Sequence, residues 1–258
     1  MTARFAIPLA AVVVIVTLAA GGCGARLDVG SDVLWTGLFE DNNVAEWMGD
    51  GAGDALAFPA PPNLVEISGE RVHHGGYAAK LTIDAPQGGS RGSSVLLRAG
   101  DPLPQQGYYS AWYYLPRSIT VGMYWVIFKF RQQDQATMDE LYDLDLINLP
   151  TGEMSVQLYD HRRGNVDLDV PSPVVPVGQW FQVEAFYRNA QDATGRLTIW
   201  LDGRQIVDIA NQPMAPTSWI EWNACSIGQD LTPSMAVLYV DDAAVSLTRV
   251  GPSGVIAD

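Results

Sequence analysis

The sequence predicts an all-β, antiparallel sandwich, and three observations carry that prediction. Short alternating stretches recur along the chain, Gly, Pro, Asn or Asp punctuates it every eight to fifteen residues, and helical periodicity is almost absent. The stretches are Leu64–Ile67, Ala78–Ile83, Ser93–Arg98, Tyr108–Leu115, Tyr124–Arg131, Leu141–Ile147, Met154–Tyr159, Trp180–Tyr187, Leu197–Leu201 and Val237–Leu247. Many short strands separated by turn signals make a sandwich or barrel. A period of two assigns faces. In Tyr124–Arg131 it sends Val126, Phe128 and Phe130 to the core and Trp125, Lys129 and Arg131 outward. In Leu197–Leu201 the aliphatic residues form the core face and Trp200 the opposite one, with Asp202-Gly203 as the tight turn into the next strand.

The chain has 258 residues, 15 Lys+Arg against 29 Asp+Glu, and a net charge of −14. With only two lysines, Lys80 and Lys129, it lacks the clustered cations that phosphate backbones require, which excludes nucleic acid as a partner. An apolar fraction of 48%, eight Trp and ten Tyr argue against disorder, and the length suits one large β domain.

Residues 1–22 read as a lipoprotein signal peptide: Arg4 precedes an apolar run from Phe5 to Ala20 that is short for a membrane span, and small residues lead into Cys23. Lipidation of Cys23 would anchor the protein to the cell envelope, and Gly24 at the following position favours the outer membrane or cell surface. Residues 23–32 form a tether, 33–250 the domain and 251–258 a flexible tail. With Cys23 modified, Cys225 has no partner; it lies in an apolar stretch, Trp222–Ile227, and reads as a small core residue.

The segments Gly178–Glu184 (GQWFQVE) and Thr194–Gly203 (TGRLTIWLDG) resemble the G-x-W…G-x-L-x-[VI]-W-x-D-G pattern of concanavalin A-like jelly rolls, closest to bacterial polysaccharide lyases of the heparin-lyase-I-like group. Trp35–Glu40 with Trp47 and Leu238–Asp242 extend the likeness over about residues 33–248. These motifs are specific for the fold and weak for activity, because lectins, glucanases, lyases and carbohydrate modules share the same strands. Such sandwiches pair their first and last strands, which would bring Glu40 near Asp241 and Asp242. The resemblance implies a structural calcium at that junction, with these three carboxylates as its metal ligands.

Three constellations carry candidate chemistry. Asp143 and Asp145 share a strand face in Tyr142–Asn148, a segment similar to the E-x-D-x-x-E signature of laminarinase-type glucanases, except that Asp143 replaces the first Glu and Asn148 the last carboxylate. Gln157, Tyr159 and His161 share another face, with Arg163 following and Lys129 and Arg131 on a neighbouring strand. This is the inventory of a β-eliminating lyase: Arg131 or Arg163 to neutralise a uronate carboxylate, His161 as base and Tyr159 as acid. The Gln-x-His strand of related lyases is replaced by Phe128-Lys129-Phe130, the Arg-x-Glu strand by Arg91-Gly92-Ser93, and the overall charge repels polyuronates unless the cleft is basic. The same residues also read as a solvated hairpin.

The third constellation is aromatic. Trp125 and Trp200, with Trp112 or Tyr113 and Tyr114, could stack on sugar rings, and Trp125, Trp200, Gln157, Asp143 and Asp145 together would make a glycan-binding cleft. Large aromatics in sandwiches are equally at home in the core. His73 and His74 read as a turn, since the sequence places no further metal ligand nearby. The leading functional expectation is an exported, lipid-anchored module that binds polysaccharide. The alternatives are a uronate-polysaccharide lyase and a structural envelope protein without a ligand.

Overall fold

The computed structural model describes residues 32–47, 61–99, 103–134, 137–214 and 220–253. The signal peptide, Cys23, nearly all of the tether and residues 254–258 lie outside them. Fourteen strands follow one another: β1 (Val33–Gly37), β2 (Leu64–Ser68), β3 (Ala78–Asp84), β4 (Arg91–Ala99), β5 (Gln106–Tyr114), β6 (Thr120–Asp134) and β7 (Thr137–Asn148). Then come β8 (Met154–Asp160), β9 (Gly164–Val166), β10 (Trp180–Arg188), β11 (Arg196–Leu201), β12 (Arg204–Ala210), β13 (Ile220–Thr232) and β14 (Met235–Ser246). One sheet runs β12-β11-β10-β5-β14-β3-β2, with β1 also paired to β14; the other runs β4-β13-β6-β7-β8-β9. All named pairings are antiparallel. The architecture is the expected jelly-roll sandwich.

Alternation predicts most strands because a sandwich strand buries one face. The Asp202-Gly203 turn forms as expected: both residues have positive φ, 47° and 77°, which joins β11 to β12 with the twist of a two-residue hairpin. The first and last strands pair, Thr36 opposite Ala244 and Gly37 opposite Ala243. Between the sheets lies an aromatic core in which Trp47 packs on Trp35 and Trp222 with ring centroids 4.8 and 5.4 Å apart. Cys225 is buried with a free thiol that burial pushes far above its usual pKa, as expected of a core residue.

Two features depart from the alternation. Strand β13 is absent from the alternating stretches, yet it is central to the second sheet; its first nine residues are all buried, the polar Glu221, Asn223 and Ser226 among them. In β6 the register slips between Val126 and Phe128 against β7, and β13 slips between Ala224 and Ile227 against β6. These bulges reverse the facing of the residues before them. Trp125, expected outward, is fully buried in the core and donates its indole N–H to Ser226 Oγ at 2.9 Å. Val126, expected in the core between the sheets, instead packs on the outer face, in a second, small buried core cluster with Val95, Cys225 and Ile227.

Candidate active site

The outer face of the second sheet carries a cleft of about 510 Å³ whose lining includes Arg91, Lys129, Glu140, Asp143, Asp145, Gln157, Tyr159 and His161. Cross-strand register builds it. Lys129 stands opposite Asp143, and Asp143 opposite Tyr159, which stands opposite Asn165; in the adjacent row Val126, Asp145 and Gln157 are aligned. Directly opposed residues of antiparallel strands are close enough for side-chain contact. Asp143 and Asp145 share the face, as their spacing predicts. A second depression of about 410 Å³, lined by Val166, Leu168 and Pro171, continues from the first through Ile147 and Gln157. Together the two take lining residues from β4, β13 and β6 across β7 and β8 to β9 and the segment that follows it.

Four charged groups interlock at its base. Lys129 is 2% exposed, and its Nζ lies 2.7 Å from Glu140 Oε1 and 3.4 Å from Asp143 Oδ1. His161 Nε2 is 2.9 Å from Asp143 Oδ2 and 3.3 Å from Glu140 Oε2. The His161 amide donates to Leu141 O, which fixes the residue at the end of β8 beside β7. The hydrogen bond to Asp143 raises the His161 pKa, against the opposing effect of burial, and the charges of Asp143 and Glu140 add to it. Burial works to raise the Glu140 pKa, but the charge and hydrogen bond of Lys129 outweigh it and the net shift is downward. Asp145 is pushed up to about 7 by burial and by the Asp143 charge beside it. Lys129 and Arg91 stand against Glu140 and Asp143, and the upward shifts of Asp145 and His161 both favour their protonated forms. The cleft therefore escapes the acidity of the chain as a whole.

Tyr159 stands at the rim, 38% exposed, with its ring edge-on to His161 at a centroid distance of 5.0 Å. The Tyr159, His161, Lys129, Gln157, Asp143 and Asp145 expected from the sequence thus converge. Arg131 lies two residues further along β6, opposite Glu140, and pairs with Glu221 at 3.1 Å, outside the cleft lining. Arg163 is turned away: its guanidinium hydrogen-bonds Gln212 and lies 3.6 Å from Asp160, in the hairpin beyond β8. Neither arginine is part of the cleft lining.

The expected aromatic platform does not assemble. Trp125 is in the core, for the bulge reason above, and Tyr113 is fully buried as well. Trp200 lies on the outer face of the other sheet, where the Arg249 guanidinium covers its ring at 4.4 Å while bonding Glu184. Asn148, the replaced carboxylate of the glucanase-like segment, is structural: its side chain accepts from Val121 N at 2.7 Å and donates to Ile119 O at 2.9 Å. Glu140 lies just before the alternating stretch Leu141–Ile147, and it joins the site because β7 begins earlier, at Thr137.

The three expected calcium ligands have separate partners. Glu40 accepts the amides of Gly76 and Tyr77, Asp241 accepts the amides of His73 and Asp242, and Asp242 faces the rings of His73 and His74.

No protein-family model matches the chain, and no curated protein matches its sequence. Solved structures do match its fold. An endo-β-1,4-glucuronan lyase from the fungus Trichoderma reesei is 15% identical, with a TM-score of 0.63 over 84% of this chain and 96% of that one. The alginate lyase Aly36B, in a variant complexed with alginate tetrasaccharide, is 16% identical, with a TM-score of 0.56 over 83% of this chain and 93% of that one. The marine PL-14 alginate lyase from Aplysia kurodai is 9% identical, with a TM-score of 0.51 over 84% and 99%. At these identities the likeness is one of fold alone.

Proposed function

We propose that the chain is a polysaccharide lyase that cleaves a uronate-containing glycan by β-elimination in this cleft. The observation that carries the reading is the rim pair Tyr159 and His161, with His161 anchored to Asp143 beside the buried Lys129, in a cleft on the outer face of the sheet. Structures named as lyases of glucuronan and alginate, both polyuronates, support it. The binding-only expectation has lost the two tryptophans on which it rested.

The electrostatics reassign the roles. A His161 whose pKa is raised is a poor free base near neutrality but a good cation. Its Nε2 is committed to Asp143, which leaves Nδ1 to donate to a uronate carboxylate and so acidify the C5 proton. Tyr159 is the exposed proton carrier. As phenolate it takes the C5 proton, the C–H electron pair forms the C4–C5 double bond, the C4–O4 bond breaks, and the phenol returns its proton to O4. Lys129 is a positioning residue that holds Glu140 and Asp143 in place. Asp145, when protonated, and Gln157 supply hydrogen bonds for sugar hydroxyls.

The test is ultraviolet absorbance of new C4–C5 double bonds when the domain is incubated with glucuronan, alginate and other uronate polymers. Tyr159→Phe is expected to lower kcat by at least about 10²-fold with little change in KM. A flat trace with every polymer, or full activity in Tyr159→Phe, rejects the reading. We also propose export and lipid anchoring at Cys23; the mass of the mature N-terminal peptide from cells tests it, and an unmodified or uncleaved N-terminus refutes it.

A further inference from the structure

A second cluster lies on the outer face of the other sheet, away from the cleft. We propose that His73, His74 and Asp242 form a binding site for a divalent transition-metal ion of the zinc class. His73 Nδ1 and His74 Nδ1 lie 2.5 and 2.6 Å from the same atom, Asp242 Oδ2, and the three potential ligand atoms are all within 4.8 Å of one another. One carboxylate oxygen facing two imidazole nitrogens this closely is tighter than ordinary N–H···O bonding, which runs about 2.7–3.2 Å. A tetrahedral ion with ligand bonds near 2.0–2.1 Å would separate its ligands by roughly 3.3 Å, so an opening of less than about 1 Å would admit it.

The surroundings hold the donors in place. The His73 ring stacks on Trp112 at 3.8 Å with an interplanar angle of 20°, and His74 stands edge-on to it. Asp241 Oδ2 accepts the amides of His73 at 2.8 Å and His74 at 3.4 Å, while Glu40 takes those of Gly76 and Tyr77. The loop is therefore clamped on both flanks, and the Glu40 carboxylate occupies the space that a side chain at Gly75 would need. Asp242 itself sits at a bulge in β14 with φ of 44°, a conformation few non-glycine residues adopt and one that accompanies functional geometry. The Asp242 side chain is 5% exposed and that of His74 43%, so the carboxylate is sheltered and the histidine side opens to solvent for a water in the fourth position.

The donor chemistry selects the ion. Calcium is bound by six to eight oxygens, whereas two of the three converging atoms here are imidazole nitrogens, which suit zinc, copper or nickel. The carboxylates that could have enriched the site in oxygen, Glu40 and Asp241, are occupied by backbone amides. Bound metal would staple the β2–β3 connection to β14, joining residues 168 and 169 positions apart.

Chelator-stripped protein titrated calorimetrically with Zn²⁺ alone tests this, with Tm as a second readout. One ion per chain and a raised Tm are expected. His74→Ala and Asp242→Asn should each weaken binding at least tenfold, and His161→Ala, the only other histidine, should leave it unchanged. His74 is exposed enough for His74→Ala to fold, so that variant decides even if Asp242→Asn does not. Absence of stoichiometric Zn²⁺ binding, undiminished binding in His74→Ala, loss in His161→Ala, or tighter binding of Ca²⁺ than of Zn²⁺ overturns the proposal. None of these readouts depends on lyase activity.

Discussion

Replacing Asp143 with Asn probes the charged base of the cleft most directly. Asp143 is 5% exposed, receives His161 at 2.9 Å and lies 3.4 Å from the nearly buried Lys129. Removing one partner of a buried ion pair typically costs about 3–5 kcal/mol, because the other charge is left without compensation. Here Glu140 remains 2.7 Å from Lys129 and 3.3 Å from His161, so each cation keeps one carboxylate and a loss of about 2 kcal/mol is expected. The pH dependence has a definite sign. The folded pKa of His161 is raised, so its contribution to stability is complete below the unfolded value of about 6.5 and disappears as pH climbs through the folded value. In Asp143→Asn the principal cause of that shift is gone, and the difference in stability between wild type and variant should be larger at pH 6 than at pH 9. Urea unfolding at the two pH values measures the difference, and NMR titration of the three histidines follows His161 itself. An unchanged His161 titration, or equal urea midpoints for the two proteins at pH 6, would refute the reasoning.

Three further outcomes are expected. Asp145 has its pKa pushed up to about 7 by burial and by Asp143, so it destabilises the fold as pH rises through that value; Asp145→Asn should raise stability at pH 8, with about 4 kcal/mol as the ceiling set by the shift, and show no gain at pH 4. Trp200→Ala should leave cleavage within about twofold of wild type, since its ring faces Arg249 on the other sheet; an activity loss above about tenfold would return Trp200 to the glycan site. Cys225, buried and with its thiol held protonated, should react with a thiol reagent only on unfolding, and rapid labelling of the native protein would contradict its place in the core.

Much of the architecture is legible residue by residue. The Asp202-Gly203 hairpin and the shared face of Asp143 and Asp145 follow from local rules, because turn chemistry and a period of two act over a few residues, whereas the pairing of β1 with β14 is implied only by the resemblance. The facing of Trp125 and Val126 does not, because a bulge inserts a residue without changing composition, and everything before it reverses. Strand β13 alternates only from Ile220 to Ala224, and the run Ala224-Cys225-Ser226-Ile227, where its register slips against β6, breaks the pattern.

The site divides along the same line. Tyr159, His161, Lys129 and the two aspartates could be nominated from residue type and spacing. Glu140 and the exclusion of Arg163 could not, since strand length and hairpin direction depend on packing between strands. By itself the sequence determined a jelly-roll sandwich and an inventory of catalytic chemistry, because both are written in periodicity and motif. Only the tertiary structure decided that His161 meets Asp143, which raises its pKa, and that His73 and His74 meet Asp242 from across the chain. Those facts are distances between residues remote in sequence, and it is register and packing that set them.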